Sequence, residues 1–166
     1  MKSLTTLRHA KSSWKDTSLQ DRERPLNRRG QRNAPVMAER FKKTGIRPSL
    51  ILSSPAVRAW STAKIFASEI GYPPEFLQKD DRLYHASVGT MLNLIAEQDT
   101  GFNNIMIVGH NPGLTDFINY LYPGLTDNIP TCGFVALGID RQDWNLDVDA
   151  ITELLVFDYP KRVIIQ

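Results

Sequence analysis

The stretch "LTTLRHAKSSW", residues 4–14, decides how this chain folds. A short run of Leu and β-branched Thr stops abruptly at Arg8-His9. Apolar and β-branched residues in such a run read as a buried strand. A strand that ends in a guanidinium and an imidazole aims both at whatever lies beyond the sheet edge.

Further along, the same kind of run recurs as "LILSS" (50–54), "NIMIVG" (104–109), "TCGFVALGI" (131–139) and "ITELLVFDY" (151–159). Longer amphipathic segments lie between the runs. "RRGQRNAPVMAERFKKTG" (28–45) is helical in pattern, with Asn27 as its cap and Gly45 just past its end. Pro35 either kinks this helix or marks the first turn of a shorter one capped by Asn33. "AVRAWSTAKIFASEIG" (56–71) is stopped by Gly71 and Pro73-Pro74, and "SVGTMLNLIAEQ" (87–98) is capped by Ser87. "NPGLTDFINYLYPG" (111–124) places Pro112 at the first position of a short helix. Strands alternating with helices predict an α/β sandwich around a largely parallel sheet, and "ITELLVFDY" is a candidate sheet edge.

In such sheets ligands bind outside the carboxyl ends of the strands. Three of those ends carry chemistry: Arg8-His9 after the first strand, Arg58 one turn into the helix after the second, and His110 after "NIMIVG". Two guanidiniums and two imidazoles thus meet at one sheet edge. The helix starts near Pro55 and Pro112 would add free N–H groups, which favour anions. A tetrahedral oxyanion suits this set, because Arg offers paired donors that match phosphate. A neutral imidazole can attack phosphorus and split one hard displacement into two easier steps.

Bulk properties narrow the classes. The chain has 166 residues, which fits a single domain over 1–166. Its formal net charge is only +2, so no strong polyanion-binding field is expected, although Lys and Arg concentrate before residue 50. No aromatic interleaving points to nucleic acid; Arg28, Arg29 and Arg32 read as a solvated helix face. One cysteine, Cys132, excludes an internal disulfide and fits a reducing compartment. It reads as a buried strand residue and cannot head a Cys-x5-Arg phosphatase loop, since position 138 is Gly. The first residues lack an apolar signal-peptide core, and no run approaches the roughly 20 apolar residues of a membrane span. A cytoplasmic enzyme or binding domain is therefore expected. The three histidines lie far apart without carboxylate spacing, so no metal site is expected. Trp14, Trp60 and Trp144 read as packing residues. Lys11, Ser12 and Ser13 either line the pocket or form an exposed loop.

"LRHAKSSW", "RPLNRRG", "SSPAVRAWSTA" and "GHNPGL", taken in order, resemble the histidine phosphatase superfamily, and within it the small SixA-type phosphohistidine phosphatases. The resemblance implies a three-layer α/β/α sandwich of the phosphoglycerate mutase-like type. It makes His9 the nucleophile, Arg8 and Arg58 the phosphate-binding arginines, and His110 the second histidine, with Arg24 near the pocket mouth. It implies no cofactor.

Two departures stand out. Ala10 occupies the superfamily's usual glycine position, which requires a backbone torsion open to a Cβ-bearing residue. The general acid of many phosphomonoesterases has no evident counterpart in "KDDRLYHASVG" (79–89), where Asp80, Asp81 and His85 are the available donors. His85 is either that proton donor or a surface loop histidine. A missing strong acid fits phosphohistidine on a signalling or phosphotransfer protein, whose imidazole leaving group needs little help. A small phosphomonoester substrate and a phosphate-binding regulatory module without turnover are the alternatives. The sequence leaves the oligomeric state open.

Overall fold

The computed structural model describes residues 1–163. Six strands form one sheet: β1 (Lys2–Arg8), β2 (Leu50–Ser53), β3 (Gln78–Lys79), β4 (Asn104–Gly109), β5 (Phe134–Ile139) and β6 (Ile151–Asp158), in spatial order β3-β2-β4-β1-β5-β6. β3, β2, β4 and β1 pair in parallel; β5 runs antiparallel to β1, and β6 antiparallel to β5. Only β5 therefore opposes the rest, and the expected largely parallel sheet is present, with β6 at its edge.

Strands buried on both faces have to feed two cores. In β4, Ile105 and Ile107 belong to one cluster while Met106 and Val108 belong to the other. In β1, Leu4 and Leu7 divide the same way. The first cluster packs against α3 (Val88–Ala96) and α4 (Gly113–Leu121) through Met91, Leu94, Phe117 and Leu121. The second packs against α1 (Arg28–Lys43) and α2 (Val57–Ile70) through Met37, Phe41, Ala63 and Phe66. Helices on both faces complete the three-layer α/β/α sandwich.

Local signals account for most boundaries. The Asn27 side chain accepts from the Gly30 amide at 2.8 Å, so α1 starts there and not at Asn33. The helix runs through Pro35, whose side chain is exposed. Gly45 and Gly71 take the left-handed conformations expected just beyond α1 and α2, with φ of 78° and 75°. Ser87 caps α3 by accepting from Thr90 N. Pro112 caps α4 rather than opening it, a shift of one position. β5 starts three residues later than expected from 131, because Cys132, at φ 60°, lies in a turn closed by Gly133 N donating to Pro130 O. β3 is two residues long, too short for any periodic signal.

The loop leaving β1 is pinned where it passes α1. Asn27 N donates to Lys11 O, and Ser12 bridges Leu26. A Cβ on Gly30 would come within 2.2 Å of Lys11 O. Gly30→Ala is expected to destabilise the fold by about 2 kcal/mol, as overpacking commonly does, and to disturb the backbone just after His9. Urea unfolding followed by circular dichroism measures this; an unchanged midpoint would show that the contact relaxes freely.

Candidate active site

The register of the two central strands assembles the site. Arg8 lies opposite Gly109 in the parallel β1–β4 ladder, and His9 N donates to Gly109 O at 3.2 Å. The next residues, His9 and His110, therefore emerge side by side, with ring centroids 5.2 Å apart. On the other flank of β4, Ser54 N donates to Val108 O, which carries the chain into α2 and sets Arg58 in its first turn. His9, His110, Arg58 and Arg24 are all at least nine-tenths buried, and all border one cavity of about 360 Å³.

The imidazole of His9 is held neutral in one tautomer. Its Nδ1 lies 2.7 Å from Ala10 O, and a carbonyl can only accept, so the proton sits on Nδ1 and Nε2 keeps its lone pair. Burial foremost, with the charges of Arg58 and Arg8 adding to it, pushes its pKa down to about 4 against the pull of the Ala10 bond. Ala10 itself is fully buried and has no positive φ, so its Cβ is accommodated without strain. Burial, then the neighbouring His9 and Arg58, push His110 down to about 2. Its Nε2 lies 2.7 Å from Ser54 Oγ, which holds the ring in place.

The arginines converge with charge to spare. Arg8 Nη1 donates to Ile129 O at 2.8 Å, while the Nε atoms of Arg8 and Arg58 are buried without a partner. Arg24, anticipated near the mouth, donates to Ser12 Oγ at 2.8 Å. Burial lowers the proton affinity of Arg8, a sign that its charge is short of compensation. An oxyanion would supply that compensation.

One carboxylate absent from the sequence-derived set organises the pocket. Asp21 Oδ2 accepts from Arg58 Nη2 at 2.9 Å, its backbone carbonyl accepts from Arg58 Nη1 at 2.7 Å, and Oδ1 accepts from Arg24 Nε at 3.2 Å. Tyr84 Oη donates to Oδ2 as well, and His85 Nε2 lies 3.4 Å away. Partial burial alone would raise the Asp21 carboxyl, but the bonds from Tyr84 and Arg58 outweigh it and hold it well below the usual carboxylate range. The signal that could have found Asp21 is its spacing three residues before Arg24 in "DRERPLN".

Among the three donors weighed for a general acid, only His85 borders the cavity. Asp80 accepts from Arg82 and caps a turn, and the exposed Asp81 faces Arg22 at 3.4 Å. His85 stacks beside Tyr84 and His110 at centroid distances of 4.2 and 5.0 Å. Lys11 and Ser12 line the cavity; Ser13 does not. Trp14 corrects the packing expectation: it is 74% exposed at the cavity mouth, with the Arg24 guanidinium 3.5 Å above its ring. Trp144 is fully buried as expected, and Trp60 is half-buried under Lys79. Cys132 is buried as expected, but in the turn before β5, and burial raises its thiol to about 12. At α4 the amides of Leu114 and Thr115 are taken by His110 O and Asn111 Oδ1, so this helix start offers an anion less than expected. Among the described residues no group of three or more His, Cys, Asp or Glu could hold a metal ion, and no helix is long and apolar enough to cross a membrane.

The folded state keeps both active-site imidazoles neutral, whereas unfolded they titrate near their ordinary 6.5. The unfolded chain therefore binds more protons below that pH, and stability falls as the pH falls from 6.5 toward 4, with His110 extending the loss further. Asp21 adds its own loss only below 3.8. Urea midpoints measured across this range are expected to drop on acidification, and to drop less in His9→Asn. A flat profile would show that the imidazoles are not buried in neutral form.

Residues 4–104 match the profile of the histidine phosphatase superfamily (branch 1). An uncharacterised chloroplastic protein of Arabidopsis thaliana is 32% identical over 151 residues, covering 85% of this chain and 68% of that protein. The SixA protein of Agrobacterium tumefaciens, assigned as a phosphohistidine phosphatase, is 30% identical, with a TM-score of 0.80 over 96% of this chain and 98% of that one. The protein histidine phosphatase SixA complexed with tungstate shares the fold, with a TM-score of 0.75 at 20% identity over 95% of this chain and 94% of that one. Sequence, fold and the pairing of two buried histidines with buried arginines agree: the chain belongs to the histidine phosphatase superfamily.

Proposed function

We propose that this protein is a cytoplasmic phosphohistidine phosphatase that acts on a His-phosphorylated signalling or phosphotransfer protein through a phospho-His9 intermediate. The observation that carries this reading is the neutral His9 imidazole in a pocket lined by Arg8, Arg24 and Arg58, whose only carboxylate among the described residues, Asp21, is held ionised. His9 Nε2 attacks phosphorus as the P–N bond to the substrate imidazole breaks, and the departing nitrogen takes up a proton from solvent water. Water then attacks phospho-His9, the new P–N bond breaks, and inorganic phosphate leaves as His9 regains its starting form. Arg8, Arg58, Arg24 and His110 bind the equatorial oxygens, where charge must be offset throughout transfer.

The acid determines the substrate class. A carboxylate locked in ion pairs cannot donate a proton to an alkoxide. The imidazole of phosphohistidine makes little demand for one. His85, backed by Asp21, is the available donor and favours a second reading, a small-molecule phosphomonoesterase. Nothing in the pocket favours a binding module without turnover.

Specificity constants for a phosphohistidine-bearing domain, a sugar phosphate and an aryl phosphate distinguish the readings. The phosphohistidine domain is expected to exceed the sugar phosphate by at least about 100-fold, since general acid catalysis typically contributes 10²–10⁴-fold. His85→Gln is expected to slow aryl phosphate hydrolysis at least tenfold and phosphohistidine hydrolysis by less than about threefold. A sugar phosphate turned over best, with a collapse in His85→Gln, would establish the second reading instead.

A further inference from the structure

Beside the catalytic pocket lies a second, larger cavity of about 480 Å³ that shares Arg8, Lys11 and Thr131 with it. The two form one continuous groove, with the phosphoryl site at one end. Four cations line the second part: Arg8, Lys11, Arg29 and Lys161. Among the described residues no carboxylate lines it. The cations come from distant segments: the end of β1 and the loop after it, the first turn of α1, and the chain beyond β6. Lys11, Arg29 and Lys161 are exposed, and among the described residues none of them forms an ion pair. Several arginines elsewhere are paired: Arg40 and Arg162 share Asp158, and Arg82 takes both Asp80 and Glu97. Unpaired cations occur elsewhere on the surface, but here four of them converge on one cavity leading away from the phosphoryl site, in a chain whose net charge is only +2.

Resting on the phosphohistidine reading, we infer that this groove docks an acidic segment of the protein substrate, carboxylates flanking the phosphohistidine meeting Lys11, Arg29 and Lys161. The layout fits a protein face better than the second phosphate of a small molecule. A bound small anion calls for buried donors converging on one point. Here the cations are exposed and spread along the groove, and half-buried Asn33, Thr131 and Tyr159 complete a polar wall. Spread, exposed charges govern encounter and orientation rather than deep burial. The groove would thus set which histidine is presented to His9.

Arg29→Glu combined with Lys161→Glu tests the inference, because neither residue lines the catalytic pocket. Arg29 is exposed in the first turn of α1, where a Glu favours the helix. Two phosphohistidine domains serve as substrates, one with an acidic flank and one with that flank changed to Gln, with phosphoramidate as a small control. For the acidic domain the double variant is expected to raise KM about tenfold with kcat within twofold, and to leave phosphoramidate turnover unchanged. Lys substituted into the flank should restore the KM of the variant. A KM unaffected by the substitutions, or a phosphoramidate rate that falls in parallel, would overturn the inference. Binding of the unphosphorylated acidic domain reads the groove independently of turnover: it should weaken about tenfold in the variant even if the enzyme hydrolyses some other phosphate. Equal binding by wild type and variant would refute the groove, and so would tripolyphosphate binding that outcompetes the acidic domain in wild type and is lost in the variant. The neutral pair Arg29→Gln and Lys161→Gln, expected to give a smaller change of the same sign, guards against misfolding of the reversed variant.

Discussion

Parallel pairing of β1 with β4 is the constraint on which the site depends. With Arg8 opposite Gly109, the residues that follow each strand leave the sheet as neighbours, and His9 N is tied to Gly109 O. A slip of one residue would reverse which face every β1 side chain serves. It would exchange the two cores divided by Leu4 and Leu7 and separate the two imidazoles. Core packing and the geometry of the candidate site are thus fixed by the same hydrogen-bond ladder. The register is held from both faces by residues with no part in the chemistry, such as Ile105, Met106, Ile107 and Val108.

That placement creates an electrostatic problem. Arg58 is 2% exposed, and Arg8 and Arg24 stand with it around two buried imidazoles. Burying cations without partners costs several kcal/mol each in general, of order the stability of a whole domain. Asp21 offsets much of this cost by accepting from Arg58 and Arg24 together. Both histidines respond by staying neutral, which leaves a lone pair on His9. The remaining deficit, visible in the unpartnered Nε atoms of Arg8 and Arg58, is what a phosphoryl group would make up. The site is thus stable yet electrostatically suited to a dianion.

Much of this was legible in the sequence, for particular reasons. Arg8-His9, Arg58 and Gly109-His110 each follow a short apolar strand, and parallel α/β topology brings such ends together. Helix bounds came from single residues with strong local preferences: Asn27, Gly45, Gly71 and Ser87. Asp21 was hidden because it sits in a loop with no period, and its value comes from Arg58, 37 residues away in sequence. The role of Trp14 was hidden for the same reason. An aromatic residue is usually buried, whereas this one meets the Arg24 guanidinium at the surface, a contact no local pattern signals. Asp80 and Asp81 were acids near the right place in the chain, but Arg82 and Arg22 engage them outside the pocket.

The central claim is that His9 carries the phosphoryl group between the two half-reactions. Rapid quenching in alkali of a reaction with a radiolabelled phosphohistidine domain, followed by peptide mapping, tests it most directly. The account predicts a burst of up to one labelled phosphate per chain, stable to alkali and lost in acid. The label should map to the peptide containing His9 and be absent from His9→Asn. Label on another residue, or steady turnover by His9→Asn, would contradict it.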